Sequence, residues 1–162
     1  MKKLFLSLVA LLALNFAVQA QDYDITTGLR VGFGAAFTTE VSAQAFFNDI
    51  NRLEMDLGFR FHKWYKKNTE DERYMYGGPL LTTALHWHWF LAGGFGIYGG
   101  PAIQFSIPHW KSFCMGAGGQ VGLDYQFDAP FQIALDFRPI YNFFGNWRGF
   151  DPNVGISLRY AF

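Results

Sequence analysis

From Phe131 to Arg138 the chain sets Phe131, Ile133, Leu135 and Phe137 against Gln132, Ala134, Asp136 and Arg138. Successive side chains of a β-strand point to opposite faces, so this segment has one apolar face and one face carrying an acid and a base. The same division recurs along the chain. Leu29, Val31 and Phe33 alternate with Gly28, Arg30 and Gly32, and Leu53, Met55, Leu57, Phe59 and Phe61 oppose Glu54, Asp56, Gly58, Arg60 and His62. Leu81, Leu85, Trp87 and Trp89 oppose Thr82, Ala84, His86 and His88, and at the end Val154, Ile156, Leu158, Tyr160 and Phe162 oppose Gly155, Ser157, Arg159 and Ala161. A water-soluble sandwich would carry charges of both signs on its exposed faces in abundance. Here the apolar face is almost free of charge and the other face holds nearly all of the charge within strands, as in a barrel with hydrocarbon outside and a polar lumen.

Eight such segments can be counted, at roughly 28–38, 41–47, 53–65, 79–90, 94–107, 114–127, 131–144 and 153–162. Most reach the ~9–11 residues that a tilted strand needs to cross a bilayer. The connections "NDIN", "LAG" and "DAP" are tight, whereas "KKNTEDERYMYGG", "PHWKSF" and "GNWRGFDP" are longer. This rhythm predicts an all-β, eight-stranded antiparallel up-and-down transmembrane barrel, with short turns and both termini at the periplasmic end and long loops outside. Aromatic residues make up 20% of the chain against 16% charged, an unusual balance for a soluble domain. They gather at strand ends: Trp87, Trp89, Tyr125, Phe127, Phe131, Tyr160 and Phe162 on the turn side, Trp64, Tyr65, Trp110, Tyr141 and Phe143 on the loop side. Two girdles at the lipid headgroups are expected from that placement.

The first twenty residues stand apart. "MKK", the apolar "LFLSLVALLALNFAV" and the small-residue site Val18-Gln19-Ala20 read as a cleaved secretory signal at 1–20, leaving 21–162 as one barrel domain. Without Lys2 and Lys3 the chain, with 13 basic and 13 acidic residues in all, becomes slightly acidic, which gives no reason to expect nucleic acid as a partner. Cys114, the single cysteine, reads as a small strand-end residue rather than a nucleophile.

The stretch "PFQIALDFRP", followed by a final strand ending in phenylalanine, is similar to a large group of bacterial outer-membrane barrel-domain proteins of unassigned role. From about Asp24 to Phe162 the chain resembles small eight-stranded outer-membrane barrels of the OmpA/OmpX type. The resemblance implies a Gram-negative outer membrane. It also implies that Tyr160 and Phe162 form the terminal signal read by the barrel-assembly machinery, where the usual pattern has a glycine at the place of Ser157.

The lumen-facing charges expected from the alternation are Arg30, Arg60, Arg138 and Arg159 against Glu54, Asp56, Asp124 and Asp136. Isolated buried charges are costly, so these should pair, with Arg138 and Arg159 tied to Asp124 or Asp136 and with Glu54 and Asp56 near His86 and His88. Tyr98, Gln104, Gln120, Gln126, Gln132 and Asn142 share the face, along with the histidines His62, His86 and His88. His86 and His88 could hold a metal with Glu54 or Asp56, but this spacing also arises from filling a polar interior, so no metal or cofactor is expected.

The leading functional expectation is a non-enzymatic, monomeric barrel with a side-chain-filled lumen, serving envelope integrity or surface contacts. Its partners are outer-membrane lipid and lipopolysaccharide, whose phosphates suit Lys63, Lys66 and Lys67 beside the charged tip 66–73. One alternative is a lipid A or phospholipid-modifying enzyme using Ser106, His109 or Ser112, although no carboxylate stands at a telling spacing. Pro79, Pro101 and Pro139 would give it lateral access, where a bulge or strand end is the plainer reading. The other alternative is a narrow channel for small solutes.

Overall fold

The computed structural model describes residues 25–64, 74–108 and 112–162; of 62–64, 74–76 and 92 only the backbone is described. These residues form eight strands: β1 (Ile25–Gly34), β2 (Phe37–Phe46), β3 (Asn51–Trp64), β4 (Tyr74–Phe90), β5 (Phe95–Ser106), β6 (Cys114–Gln126), β7 (Phe131–Phe144) and β8 (Gly149–Ala161). Each pairs antiparallel with its sequence neighbours, and β1 closes on β8. The register closes with a stagger of about ten residues, and an eight-stranded barrel of this kind is just wide enough inside for side chains.

Alternation settles which face goes in. Leu29 is 64% exposed on the outside of β1 while its neighbour Arg30 is fully buried inside. The pattern holds around the wall. Val41, Leu57, Val121, Leu135 and Ile156 lie exposed, whereas Glu40, Asp56, Gln120, Asp136 and Ser157 are buried. The buried apolar cluster is small, comprising Ala84, Ala102 and Ile140. The interior is therefore polar and the exterior apolar, the reverse of a protein that folds by hiding hydrocarbon from water.

Edge-to-face and tilted aromatic pairs brace the end that carries the termini. Phe95 meets Tyr125 at 4.6 Å, Tyr125 meets Phe127 at 4.8 Å, and Tyr160 meets both Phe131 and Phe162. At the opposite, distal end Phe33 packs on Phe37 and Phe113 on Phe144. The expected girdle residues Tyr65 and Trp110, the signal segment 1–20, the charged tip 66–73 and His109 lie outside the described residues.

Several strand boundaries differ from the sequence expectation, among them the starts of β1 at Ile25 and of β4 at Tyr74, both earlier than the alternation placed them. β1 ends at Gly34, and a two-residue bend at Ala35 and Ala36 starts β2 at Phe37. Phe33, Ala35 and Phe37 all remain outward through this bend, so alternation passes unbroken through the hairpin and cannot mark it. The second strand is thus ten residues long, and one distal connection is as tight as those at the other end. β3 begins at Asn51 and β8 at Gly149, each earlier than the alternation suggested. The β7–β8 loop shrinks to 145–148, with Gly145 turning the chain at φ 99, a left-handed conformation that favours glycine.

Candidate functional site in the barrel lumen

Five arginines (Arg30, Arg52, Arg60, Arg138, Arg159) and six carboxylates (Glu40, Glu54, Asp56, Asp124, Asp136, Asp151) are buried among the described residues. Arg138 projects from β7 across the lumen to β2 and β3. Its Nη1 donates to Glu40 at 3.0 Å, its Nη2 to Glu54 at 3.0 Å and to Asp56, and its Nε to Gln120 at 3.0 Å. Glu54 is the matching acceptor. It takes hydrogen bonds from Arg138, from Arg159 Nη2 at 3.2 Å, from Gln120 at 2.9 Å and from Gln44. Paired and multiply bonded charges of this kind are the form in which ionised groups tolerate burial.

Arg30 makes the second centre. Its Nε and Nη2 grip both oxygens of Asp136 at 3.0 and 2.5 Å, its Nη1 donates to Glu40 at 2.8 Å, and its Nη2 also reaches Asn153 at 2.9 Å. Gly155 makes this reach possible. It lies opposite Asp136 on β7, and a Cβ added there would run into the Arg30 guanidinium. Gly155→Ala is therefore expected to displace Arg30 and lower stability by about 1–3 kcal/mol, the range for overpacking a filled interior. Urea unfolding of the refolded barrel in detergent measures it; an unchanged midpoint would mean that Arg30 can simply step aside.

Toward the terminal end, Arg52 Nη1 donates to Asp124 at 2.8 Å while the guanidinium stacks over Tyr98 at 4.3 Å. Asp124 also lies 3.0 Å from His88 Nε2. His86 packs on the Tyr98 ring at 4.8 Å, and neither of its ring nitrogens has a hydrogen-bond partner among the described residues. At the distal end Arg60 pairs with Asp151 and stacks over Trp147 at 4.9 Å.

The pairings differ from those expected. Arg138 and Arg159 do not reach Asp124 or Asp136; Arg138 joins Glu40, Glu54 and Asp56, and Arg159 joins Glu54 and Ser42. Neighbouring strands are staggered, and an arginine is long enough to cross the lumen instead of bonding to the strand beside it. The register sets Glu54 opposite Ala84 and Asp56 opposite Thr82; Glu54 still lies within electrostatic reach of His86, as expected, whereas His88 turns to Asp124 on β6. The side chain of His62 lies outside the described residues. Arg52, Glu40 and Asp151 were missing from the expected face, each standing just beyond a strand start placed too late. Gln126 turns to the backbone carbonyls of Phe127, Ala129 and Phe131 rather than joining the network. Among the described residues no group of three His, Cys, Asp or Glu side chains is placed to hold a metal ion.

The residues considered for lipid chemistry are scattered. Ser106 is buried on the lumen face, and the Ser112 hydroxyl accepts from Asn146 at 2.8 Å. Pro79 pairs with Phe59, and its carbonyl accepts from Ile107 N–H at 3.0 Å. The β4–β5 register omits Pro101 and the β6–β7 register omits Pro139, as the missing N–H of proline requires, while Pro139 still pairs with Pro152 across β7–β8. Cys114 is buried and unbridged.

A closed eight-stranded wall of this kind is similar to those of solved membrane barrels. Neisserial surface protein A is similar over 85% of this chain and 94% of its own, at 15% identity and a TM-score of 0.61. Outer membrane protein H (OprH) from P. aeruginosa is similar over 86% and 99%, at 12% identity and a TM-score of 0.60. A de novo designed transmembrane β-barrel covers 90% of the chain, at 12% identity and a TM-score of 0.54. The fold is that of the small eight-stranded transmembrane barrels. No protein-family model matches the chain, and no curated protein matches it in sequence. A designed barrel among the neighbours illustrates that this fold specifies no activity by itself.

Proposed function

We propose that this protein is a non-enzymatic barrel of a Gram-negative outer membrane whose lumen is closed by its own side chains and whose distal loops meet the cell's surroundings. The observation that carries this reading is Arg138, which spans the lumen to three carboxylates on the opposite wall. A continuous water column would have to part these pairs. In this reading the signal at 1–20 is removed on export, and Tyr160 and Phe162 address the chain to the assembly machinery. Tyr160 is outward-facing, and the Phe162 N–H is bonded to the Ile25 carbonyl at 2.9 Å, so the terminal aromatics sit on the β1–β8 seam that closes last in chain order. The protein works as a monomer in contact with lipid and lipopolysaccharide, in a role of envelope integrity or surface contact.

Comparison of lipid A and phospholipids by mass spectrometry, in cells with and without the protein, tests the non-enzymatic part. Identical acyl profiles are expected. A specific acyl change that disappears with Ser106→Ala would overturn it in favour of a lipid-modifying enzyme.

A further inference from the structure

The β7–β8 loop borders a pocket of about 140 Å³ at the distal mouth of the lumen. Its shape follows from the glycine that ends the loop. Gly149 stands opposite Asn142 on β7, and at φ 140 it holds a conformation that other residues rarely adopt. A Cβ added there would meet nothing within 4 Å, so Trp147 and Arg148 line an open space. Arg60 of β3 and Asp151 of β8 also line it, and they pair through Arg60 Nη2. Their side chains are only 6% and 9% exposed, yet Arg60 Nε and Asp151 Oδ1 have no hydrogen-bond partner among the described residues. One buried donor and one buried acceptor therefore belong to a single bonded pair at this pocket, and each is costly to leave unmet.

We propose that this pocket binds one neutral sugar ring presented outside the cell. A space of about 150 Å³ suffices for one six-membered ring. The unmet pair selects the chemistry. A hydroxyl both donates and accepts, so one ring hydroxyl can accept from Arg60 Nε and another can donate to Asp151 Oδ1. A phosphate or carboxylate would be repelled by Asp151, and an ammonium by Arg60 and Arg148. Asn142, buried beside them, adds an amide that also does both. Trp147, half-buried and set 4.9 Å from the Arg60 guanidinium, gives the C–H face of the ring an apolar wall. That the distal end meets sugars outside the cell rests on the membrane reading above.

Saturation-transfer NMR of the refolded barrel, in a detergent without a sugar headgroup, tests this with methyl glucoside, methyl galactoside and methyl mannoside. At least one is expected to bind with a Kd on the order of 1 mM, the affinity that so few ligand atoms permit, and more tightly than glucuronate or glucosamine. Trp147→Ala should weaken that binding about tenfold, while Val41→Leu on the outer wall should leave it unchanged. Asn142→Leu, which removes the amide and fills space, takes the place of Trp147→Ala if the latter does not refold. No transfer to any neutral hexoside, tighter binding of either charged sugar, or undiminished affinity in a refolded pocket variant would overturn the proposal. Oligosaccharide released from the cells' own lipopolysaccharide separates the two sources: tighter binding than the methyl hexosides assigns the site to envelope glycan, and equal or weaker binding to free sugar. The outward placement is read independently, since an impermeant maleimide should label Arg148→Cys on intact cells while Cys114 stays buried. Absence of labelling strikes the membrane reading, and absence of hexoside binding alone strikes the pocket.

Discussion

Arg138→Met is expected to destabilise the barrel by about 3–5 kcal/mol, the cost of removing one partner from buried ion pairs. Methionine keeps most of the length and removes the charge, leaving Glu40, Glu54 and Asp56 in one buried space. Glu40 would keep Arg30 and Glu54 would keep Arg159, but Arg138 is the one arginine bonded to Asp56 among the described residues. The loss should therefore be relieved in part by Asp56→Asn in the same chain, while Arg138→Lys, tested on its own, should still fall short of wild type because it cannot reproduce a fork bonded through Nε, Nη1 and Nη2 at once. Urea titration of the refolded protein in detergent reads it. With a slope of ~2 kcal/mol/M, the midpoint should fall by about 2 M. A midpoint within error of wild type would show that these carboxylates have solvent to turn to.

The second large effect belongs to Asp136. Asp136→Ala removes the two-oxygen grip on Arg30 and should also cost about 3–5 kcal/mol, because Arg30 is fully buried. Which arginine is stranded distinguishes this structure from a pairing guessed from strand order. A double-mutant cycle between Arg30→Met and Asp136→Ala should show coupling of about 2–3 kcal/mol, and the cycle of Asp136→Ala with Arg159→Met much less. The opposite order would place Asp136 on Arg159, and the lumen network described here would be wrong.

Why the wall was legible in the sequence and the wiring was not can be seen from a few residues. Leu29 beside Arg30 and Leu135 beside Asp136 disclose two faces, because the strand period is two and no other element turns charge to one side so regularly. Alternation does not report where a strand begins, however. Glu40, Arg52 and Asp151 lie on rungs one to three residues inside a boundary that alternation could not locate, and Ala35 with Ala36 turns the chain without breaking phase. Pairing depends further on height within a staggered barrel and on side-chain reach. Sequence spacing encodes neither of these. The glycines were the overlooked signal. Gly155 marks where Arg30 crosses β8, and Gly96 marks where Asp124 and His88 meet, since an added Cβ at either place would strike those side chains. A lumen-facing glycine beside a charged strand is thus a pointer to the side chain lying over it.

In the proposed reading the interior is closed by its own ion pairs. Planar-bilayer recording of the purified, refolded wild-type protein tests it most directly. Insertion without a sustained conductance is predicted, since ion pairs of Arg138, Arg30 and Arg159 run between strands on different sides of the lumen. A stable open level from the wild-type barrel would contradict a closed lumen, because it would require a continuous water column through the same pairs.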